Sequence, residues 1–102
     1  MIPRITVKVD VQAYQHVFEQ MGYTDEEGAY LLLRTQLLKE VKEEILKRKW
    51  TQVQAAKELG VKQPRISEIF ALRIDKFSVE ILIRYLHRLN KEVVFKIKKK
   101  GS

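Results

Sequence analysis

The stretch TQVQAAKELGVKQPRISEIFA, residues 51–71, decides the fold, because it predicts two short helices joined by a tight glycine turn. Thr51 and Gln54 form a T-x-x-Q capping box, in which each residue satisfies a free backbone N–H at the start of the first helix. Gly60 supplies the left-handed residue at which such a helix ends. The second helix begins within three residues of that glycine.

The apolar residues of both predicted helices recur at helical spacing. They are Val53, Ala56 and Leu59 in the first helix, and Ile66, Ile69 and Phe70 in the second. Pro64 suits the first turn of the second helix, where the missing N–H is no loss. Two helices this short must pack at a steep angle on a third element, and this arrangement is the helix-turn-helix motif.

Length and composition predict one small domain. With 102 residues and no cysteine, the chain has no disulfide framework, as is typical of a reducing compartment. No apolar run approaches the roughly 20 residues that span a membrane, and the start lacks the apolar core of a signal peptide. We therefore expect a soluble, cytoplasmic protein that does not enter membranes, and pairing with a second copy would help its stability.

The net charge of +7 is unevenly distributed. Residues 47–76 carry eight Lys or Arg against three acids, and residues 91–102 carry five Lys against one acid. Residues 1–34 have the opposite balance, with three bases against five acids. A basic excess on the predicted helix-turn-helix and the tail is the pattern expected of a protein that binds a polyanion, although a solvated basic surface is the alternative.

The two ends of the chain alternate apolar and polar residues, which predicts β-strands. The first strand would run from Ile2 to Val11, and the last from Val93 to Lys98. Because a lone strand leaves backbone groups unpaired, the two must pair with each other or with a second copy. A sheet at a dimer interface is the arrangement that we favour, with Lys98 to Lys100 as a flexible basic end.

Three further helices are predicted between the strands. A short one, from about Val11 to Met21, would end at Gly22. A capping box of Thr24 and Glu27 begins a long helix that runs to about Lys49. Its apolar stripe is Leu33, Leu37, Leu38, Val41, Ile45 and Leu46. The residues expected to face water are Lys39, Lys42, Glu43 and Glu44.

The last helix follows a loop predicted over Leu72 to Phe77. Ser78 begins it, and Asn90 can close it in the left-handed region. Its core face is Leu82, Tyr85, Leu86 and Leu89. The chain is thus predicted to be mainly α with five helices. It has three parts: a strand and short helix in residues 1–23, a helical core in 24–90, and a strand and basic tail in 91–102.

Residues 51–71 resemble the Xre-type family of phage-repressor and Cro-like helix-turn-helix proteins. In that family a glutamine opens each of the two helices, and Gln52 and Gln63, eleven residues apart, match those positions. KQPRISEI is similar to a form of the family's recognition helix, although Lys62 replaces the frequent Ser or Thr cap. The resemblance implies a five-helix lambda-repressor-like domain that binds double-stranded DNA. Residues 17–98 also resemble HigA-type antitoxins of toxin–antitoxin pairs.

Candidate DNA contacts lie on the side of the second helix opposite its apolar face, and around the turn. The candidate base-reading residues are Gln63, Pro64, Arg65, Ser67 and Glu68. Gln63 can pair with adenine, Arg65 with guanine and Glu68 with cytosine. A phosphate contact or a surface ion pair is the alternative for Arg65. The candidate phosphate contacts are Gln52, Lys62, Arg73 and Lys76, and Gln52 is also placed to brace Gln63.

These features predict a sequence-specific transcriptional regulator, most simply a homodimeric repressor of its own operon on a palindromic operator. The alternative is an antitoxin that neutralises a RelE-type ribonuclease toxin, a small basic protein, and represses its own operon. The toxin would dock on the apolar run Ala29 to Leu33 and on the terminal segments. A helix-turn-helix used only as a scaffold would show no salt-dependent DNA binding.

The sequence does not indicate an enzyme. His16 and His87 are far apart in the sequence. Neither has a second metal ligand at a suitable spacing, or a nearby nucleophile and carboxylate in a catalytic pattern. The four glycines form no phosphate loop. We expect no catalytic residues, cofactor or metal site.

Overall fold

The computed structural model describes residues 4–7 and 20–95. In chain order the elements are β1 (Arg4–Val7), α1 (Asp25–Lys47), α2 (Gln52–Leu59), α3 (Gln63–Phe70), α4 (Val79–Arg88) and β2 (Glu92–Phe95), with a 3₁₀ turn at Ile74–Lys76. Within the described ranges, every helix is too short or too polar to cross a membrane.

The mainly α class is confirmed, but the described residues contain four α-helices and not five. The short helix predicted from about Val11 to Met21 lies for most of its length outside the described residues. Its end is described: Gln20 is helical, and Gly22 has a φ of 85° in the left-handed region. The predicted continuation of the last strand beyond Phe95 and the basic end also lie outside the described residues.

The two strands pair with each other in a parallel sheet. Arg4 lies opposite Glu92, and Val7 lies opposite Phe95. Pairing within one chain was one of the two alternatives that the sequence left open. This sheet brings the two ends of the chain together, and β2 also packs against α4.

Side chains cap the helix starts at the predicted positions. The Thr51 hydroxyl accepts from the Gln54 N–H at 3.1 Å, and the Gln54 side chain accepts from the Thr51 N–H at 3.2 Å, which completes the capping box. Thr24 accepts from the Glu27 N–H, and Ser78 also caps its helix. Each cap satisfies a donor that has no partner within its helix, so the helix starts are defined by local chemistry.

Left-handed residues follow all four helices, and those after α2 and α4 lie at the predicted positions. Gly60 has φ 67° and ψ 37°, and the N–H of Val61 donates to the Ala56 carbonyl at 2.9 Å across this turn. Asn90, after α4, has a φ of 62°. These reversals let consecutive helices turn back onto the same core.

One hydrophobic core receives residues from all four helices and from Phe77. Its fully buried large side chains include Leu37, Leu38, Val41, Ile45, Leu59, Ile66, Ile69, Leu82, Leu86 and Leu89. The long helix α1 packs against α4 and α3, and α2 packs against α3. Helix α1 therefore supports both the second helix of the motif and the last helix.

Two residues assigned to the apolar stripes are exposed. Leu46 is 55% exposed and Val53 is 64% exposed, whereas Ala55 is fully buried. Both errors have the same geometric cause, because each residue lies roughly a third of a turn from the centre of the buried face of its helix.

Glu44, predicted to face water, is only 6% exposed. Its carboxylate lies 3.3 Å from Lys91 Nζ, 3.5 Å from Lys47 Nζ and 3.8 Å from Arg48 Nε. Three nearby cations offset the cost of burying this charge. The Glu44 cluster, as we name these four residues, connects the end of α1 to Lys91, immediately before β2.

Basic side chains also bind the C-terminal ends of neighbouring helices. Lys42 Nζ donates to the Phe70 carbonyl at 2.9 Å. Arg88 donates to the Leu59 carbonyl, and Arg48 to the Leu89 carbonyl. Because the last carbonyls of a helix have no internal partner and carry partial negative charge, these cations stabilise the ends of α3, α2 and α4.

Substitution of Gly60 by alanine is expected to destabilise the domain by roughly 1–2 kcal/mol, since an L-residue at φ 67° is strained. An added Cβ would have its nearest neighbour at 3.7 Å, Arg88 Nη1, so strain and not a clash is the cause. Urea unfolding should show a smaller loss of unfolding free energy for Gly60→Asn than for Gly60→Ala, because asparagine tolerates the left-handed region better. Equal stability of Gly60→Ala and the wild type would contradict this account.

Glu44→Gln is expected to lower the free energy of unfolding by about 1–3 kcal/mol, because it removes the charge that its three basic neighbours bind. Glu43→Gln, at an exposed position on the same helix, is the matched control and should change little. Urea unfolding of both variants is the measurement. Equal effects of the two substitutions would show that the Glu44 cluster contributes nothing.

Candidate nucleic-acid interface

The packing of α3 on the core determines which of its side chains are accessible to a ligand. Ile66 and Ile69 are fully buried beneath the helix, and Phe70 is half-buried against the same core. The bond from Lys42 to the carbonyl of Phe70 holds the C-terminal end. The N-terminal end lacks a side-chain cap, because Lys62 stands at the position where the family often has Ser or Thr.

The outer side of α3 carries most of the candidate base-reading residues. Gln63, Pro64 and Ser67 are exposed, and Glu68 is half-buried. Pro64 stands in the first turn, where it removes one of the N–H groups that the helix cannot bond internally. The first five residues of α3 therefore present an amide, an apolar ring and a hydroxyl on one accessible surface.

Gln52, at the start of α2, links the two helices of the motif. Its side-chain oxygen accepts from Gln63 Nε2 and from Ser67 Oγ, both at 3.4 Å. The predicted brace between Gln52 and Gln63 is thus present. At 3.4 Å both bonds are long, so they orient the Gln63 amide while leaving it open to a closer partner.

Arg65 is placed differently from the other candidates. Its guanidinium carbon lies 4.3 Å from the centroid of the Phe77 ring, and its Nε donates to the Tyr85 hydroxyl at 3.4 Å. Its Nη1 lies 4.0 Å from a carboxylate oxygen of Glu68. The side chain is 31% exposed and is directed toward the protein, which favours the ion-pair alternative over guanine reading.

The candidate phosphate contacts lie on exposed surface around α3. Lys62 precedes the helix, and Lys76 follows it in the 3₁₀ turn. Arg73 donates to both carboxylate oxygens of Asp75, at 3.3 and 3.4 Å. The hydrogen bond from Arg73 lowers the pKa of the Asp75 carboxyl, so this pair stays ionised into acidic solution. Arg73 is therefore the candidate whose charge already has a partner.

Phe77 has a role in the site that the sequence pattern did not indicate. It lies in the loop before α4, yet it is 2% exposed and forms an edge-to-face pair with Tyr85 at 6.3 Å. The sequence does contain a signal for this burial. Phe77 immediately precedes the cap residue Ser78, and an apolar residue at that position often packs against the first turns of the helix.

Comparison with known proteins supports this description. The family model of a helix-turn-helix domain matches residues 17–98 of this chain. A solved structure provisionally named an XRE family transcriptional regulator is 29% identical, with a TM-score of 0.65, over 71% of this chain and 81% of that one. No curated protein matches the chain. Because the family model covers most of its length, this chain belongs to the helix-turn-helix domain family.

Proposed function

We propose that this protein is a transcriptional regulator that binds double-stranded DNA sequence-specifically, with the N-terminal half of α3 in the major groove. One observation carries the proposal: two fully buried isoleucines seat α3 while Gln63, Pro64 and Ser67 on its outer side are exposed. Family membership and the likeness to a protein named as an XRE family regulator support it.

Each outer residue of α3 has a chemical role in this proposal. Gln63 pairs its amide with the N6 and N7 atoms of adenine, in an orientation set by Gln52. Ser67 bonds to a base edge or a nearby phosphate, and Pro64 offers only an apolar contact, such as a thymine methyl group. Glu68 accepts from the amino group of cytosine.

Phosphate contacts position α3 on the duplex. The first turn of α2, at Gln52, presents free N–H groups at the positive end of the helix dipole, which suits a phosphate. Lys62 and Lys76 supply exposed positive charge on either side of α3. By contrast, Lys42, Arg48 and Arg88 bind helix ends within the domain, so we assign them no DNA contact.

We further propose that the protein acts as a homodimer on a palindromic operator and represses its own operon. A single recognition helix covers only a short half-site, and two copies would place their α3 helices about 34 Å apart, one turn of DNA. In the two-stranded sheet each strand has one outer edge that no described strand covers. In the proposed dimer, a strand of the second copy pairs with one of these edges.

The antitoxin is a second candidate, favoured by a shallow groove at the start of α1. The groove is lined by Tyr23, Thr24, Glu26, Glu27, Tyr30, Leu31 and Arg34. Tyr30 is 49% exposed, and Glu26 and Glu27 place negative charge beside it. Because the Arg34 guanidinium already lies over the Tyr30 ring at 5.0 Å, the two carboxylates are the groups that suit a small basic partner such as a RelE-type toxin. DNA binding would then be autoregulation.

The antitoxin candidate predicts a stable complex with a small basic protein encoded by a neighbouring gene. Co-expression and copurification would test it, with Glu26→Lys/Glu27→Lys as the variant that should release the partner. Loss of the partner from this variant with DNA binding unchanged would support docking at the groove. Copurification that the two lysines do not affect would place the partner elsewhere.

For the regulator, Gln63→Ala is expected to relax base preference at one position in each half-site, at a cost of about 1–3 kcal/mol on the preferred sequence. The measurement is selection of bound sequences from a random duplex pool, followed by affinity on the selected site and on its single-base variants.

Lys62→Ala is the control for this experiment. It should weaken binding to every sequence alike and lower the salt slope by about one, as expected for loss of one phosphate contact. If Gln63→Ala also weakened binding to every sequence equally, Gln63 would not be a base-reading residue. A wild-type protein that selected no sequence would contradict the proposed function.

A further inference from the structure

Arg65 makes three contacts within the protein through its guanidinium group. One face covers the Phe77 ring at 4.3 Å, Nε donates to the Tyr85 hydroxyl at 3.4 Å, and Nη1 lies 4.0 Å from the Glu68 carboxylate. Guanine reading requires a guanidinium that presents two donors outward to O6 and N7. Arg65 would have to give up these contacts to do so.

The contacts of Arg65 connect it to the buried core of the domain. Phe77 and Tyr85 are each 2% exposed, and their rings pack edge to face at 73°. The guanidinium carbon of Arg88 lies 5.9 Å from the centroid of the Tyr85 ring, and Arg88 donates to the carbonyl of Leu59 at the end of α2. Tyr85 of α4 thus connects Arg65 on α3 with the end of α2.

Glu68 gives Arg65 a second role. Its side chain is 29% exposed on the surface that is proposed to face DNA. A lone carboxylate at that surface would be repelled by phosphates, and it would weaken binding unless a cation lay beside it. The Nη1 group of Arg65 is that cation.

We propose that Arg65 is a positioning residue of the DNA-binding surface and not a base reader. Through Phe77 and Tyr85 it sets the rotation of α3, and through its Nη1 group it holds and neutralises Glu68, which makes the base contact. The inference rests on the proposed function. It adds that Arg65 and Glu68 act as one unit and that base preference resides in Gln63 and Glu68.

The first test needs no DNA. Urea unfolding of Arg65→Ala, Tyr85→Phe and the double variant should show that the double variant's midpoint falls by less than the sum of the single shifts. The control pair is Arg73→Ala with Tyr85→Phe, which should be additive because Arg73 bonds to Asp75 on exposed surface. Additive effects of Arg65→Ala and Tyr85→Phe would show that Arg65 does not couple α3 to α4.

The second test uses selection from a random duplex pool and affinity on the selected site, for Arg65→Ala, Arg65→Lys, Glu68→Gln and Arg65→Ala/Glu68→Gln. Arg65→Ala should weaken binding to all sequences, and Arg65→Lys, which keeps the charge, should bind better than Arg65→Ala. Glu68→Gln should weaken binding and relax the preference for cytosine. Added to Arg65→Ala, the same change should improve binding by about threefold, because it removes an unpaired charge.

Two outcomes of this second test would overturn the proposal, and a third would overturn the proposed function. A loss of guanine preference at one position in Arg65→Ala, with the other positions unaffected, would make Arg65 a base reader. No recovery in the Arg65→Ala/Glu68→Gln variant would exclude the charge role. A wild-type protein that selects no sequence would instead overturn the proposed function itself, whereas coupling between Arg65 and Tyr85 would still be measurable.

Discussion

Burial of two isoleucines beneath an eight-residue helix is the constraint on which the proposed binding surface depends. Complete burial of each of these side chains contributes about 1.5–3 kcal/mol. Rotating the helix by one residue, about 100°, would expose an isoleucine and bury an outer polar side chain, so only one orientation is favourable. The hydrophobic core therefore decides which polar groups a ligand meets, and Lys42 and Gln52 refine that orientation by holding the two ends of α3.

The basic residues divide into a structural group and an accessible group. Lys42, Arg48 and Arg88 bind carbonyls at helix ends, and Lys91 pairs with the buried Glu44. Lys57, Lys62 and Lys76 are exposed and carry charge at or near the two helices of the motif. Net charge alone overstates how many cations are available to a polyanion, because several of them already stabilise the domain. These three exposed lysines lie on or beside the two helices of the motif, where a surface that tracks phosphates requires positive charge.

Much of the fold was predictable from local signals. Capping residues such as Thr51 and Ser78, and the left-handed Gly60, act within a few residues along the chain, and the structure has all three where the sequence placed them. The Gln52 brace was predictable from the spacing of the two glutamines in the family that the sequence resembles. The burial of Glu44 was not predictable in this way, because its partner Lys91 lies far along the chain. The contacts of Arg65 with Phe77 and Tyr85 likewise join residues from different elements. No periodicity within one helix encodes such contacts.

The most direct test of the central claim is to locate the outer face of α3 on DNA. Because the chain has no cysteine, Ser67→Cys can carry one DNA-cleaving iron chelate on that face. The control is Glu26→Cys, about 24 Å along α1 from Lys42. On a duplex carrying the selected sequence, the account predicts that the Ser67→Cys conjugate cuts at discrete major-groove positions within the site while the control cuts weakly or elsewhere. Cleavage by the Ser67→Cys conjugate no stronger than that of the control would contradict it.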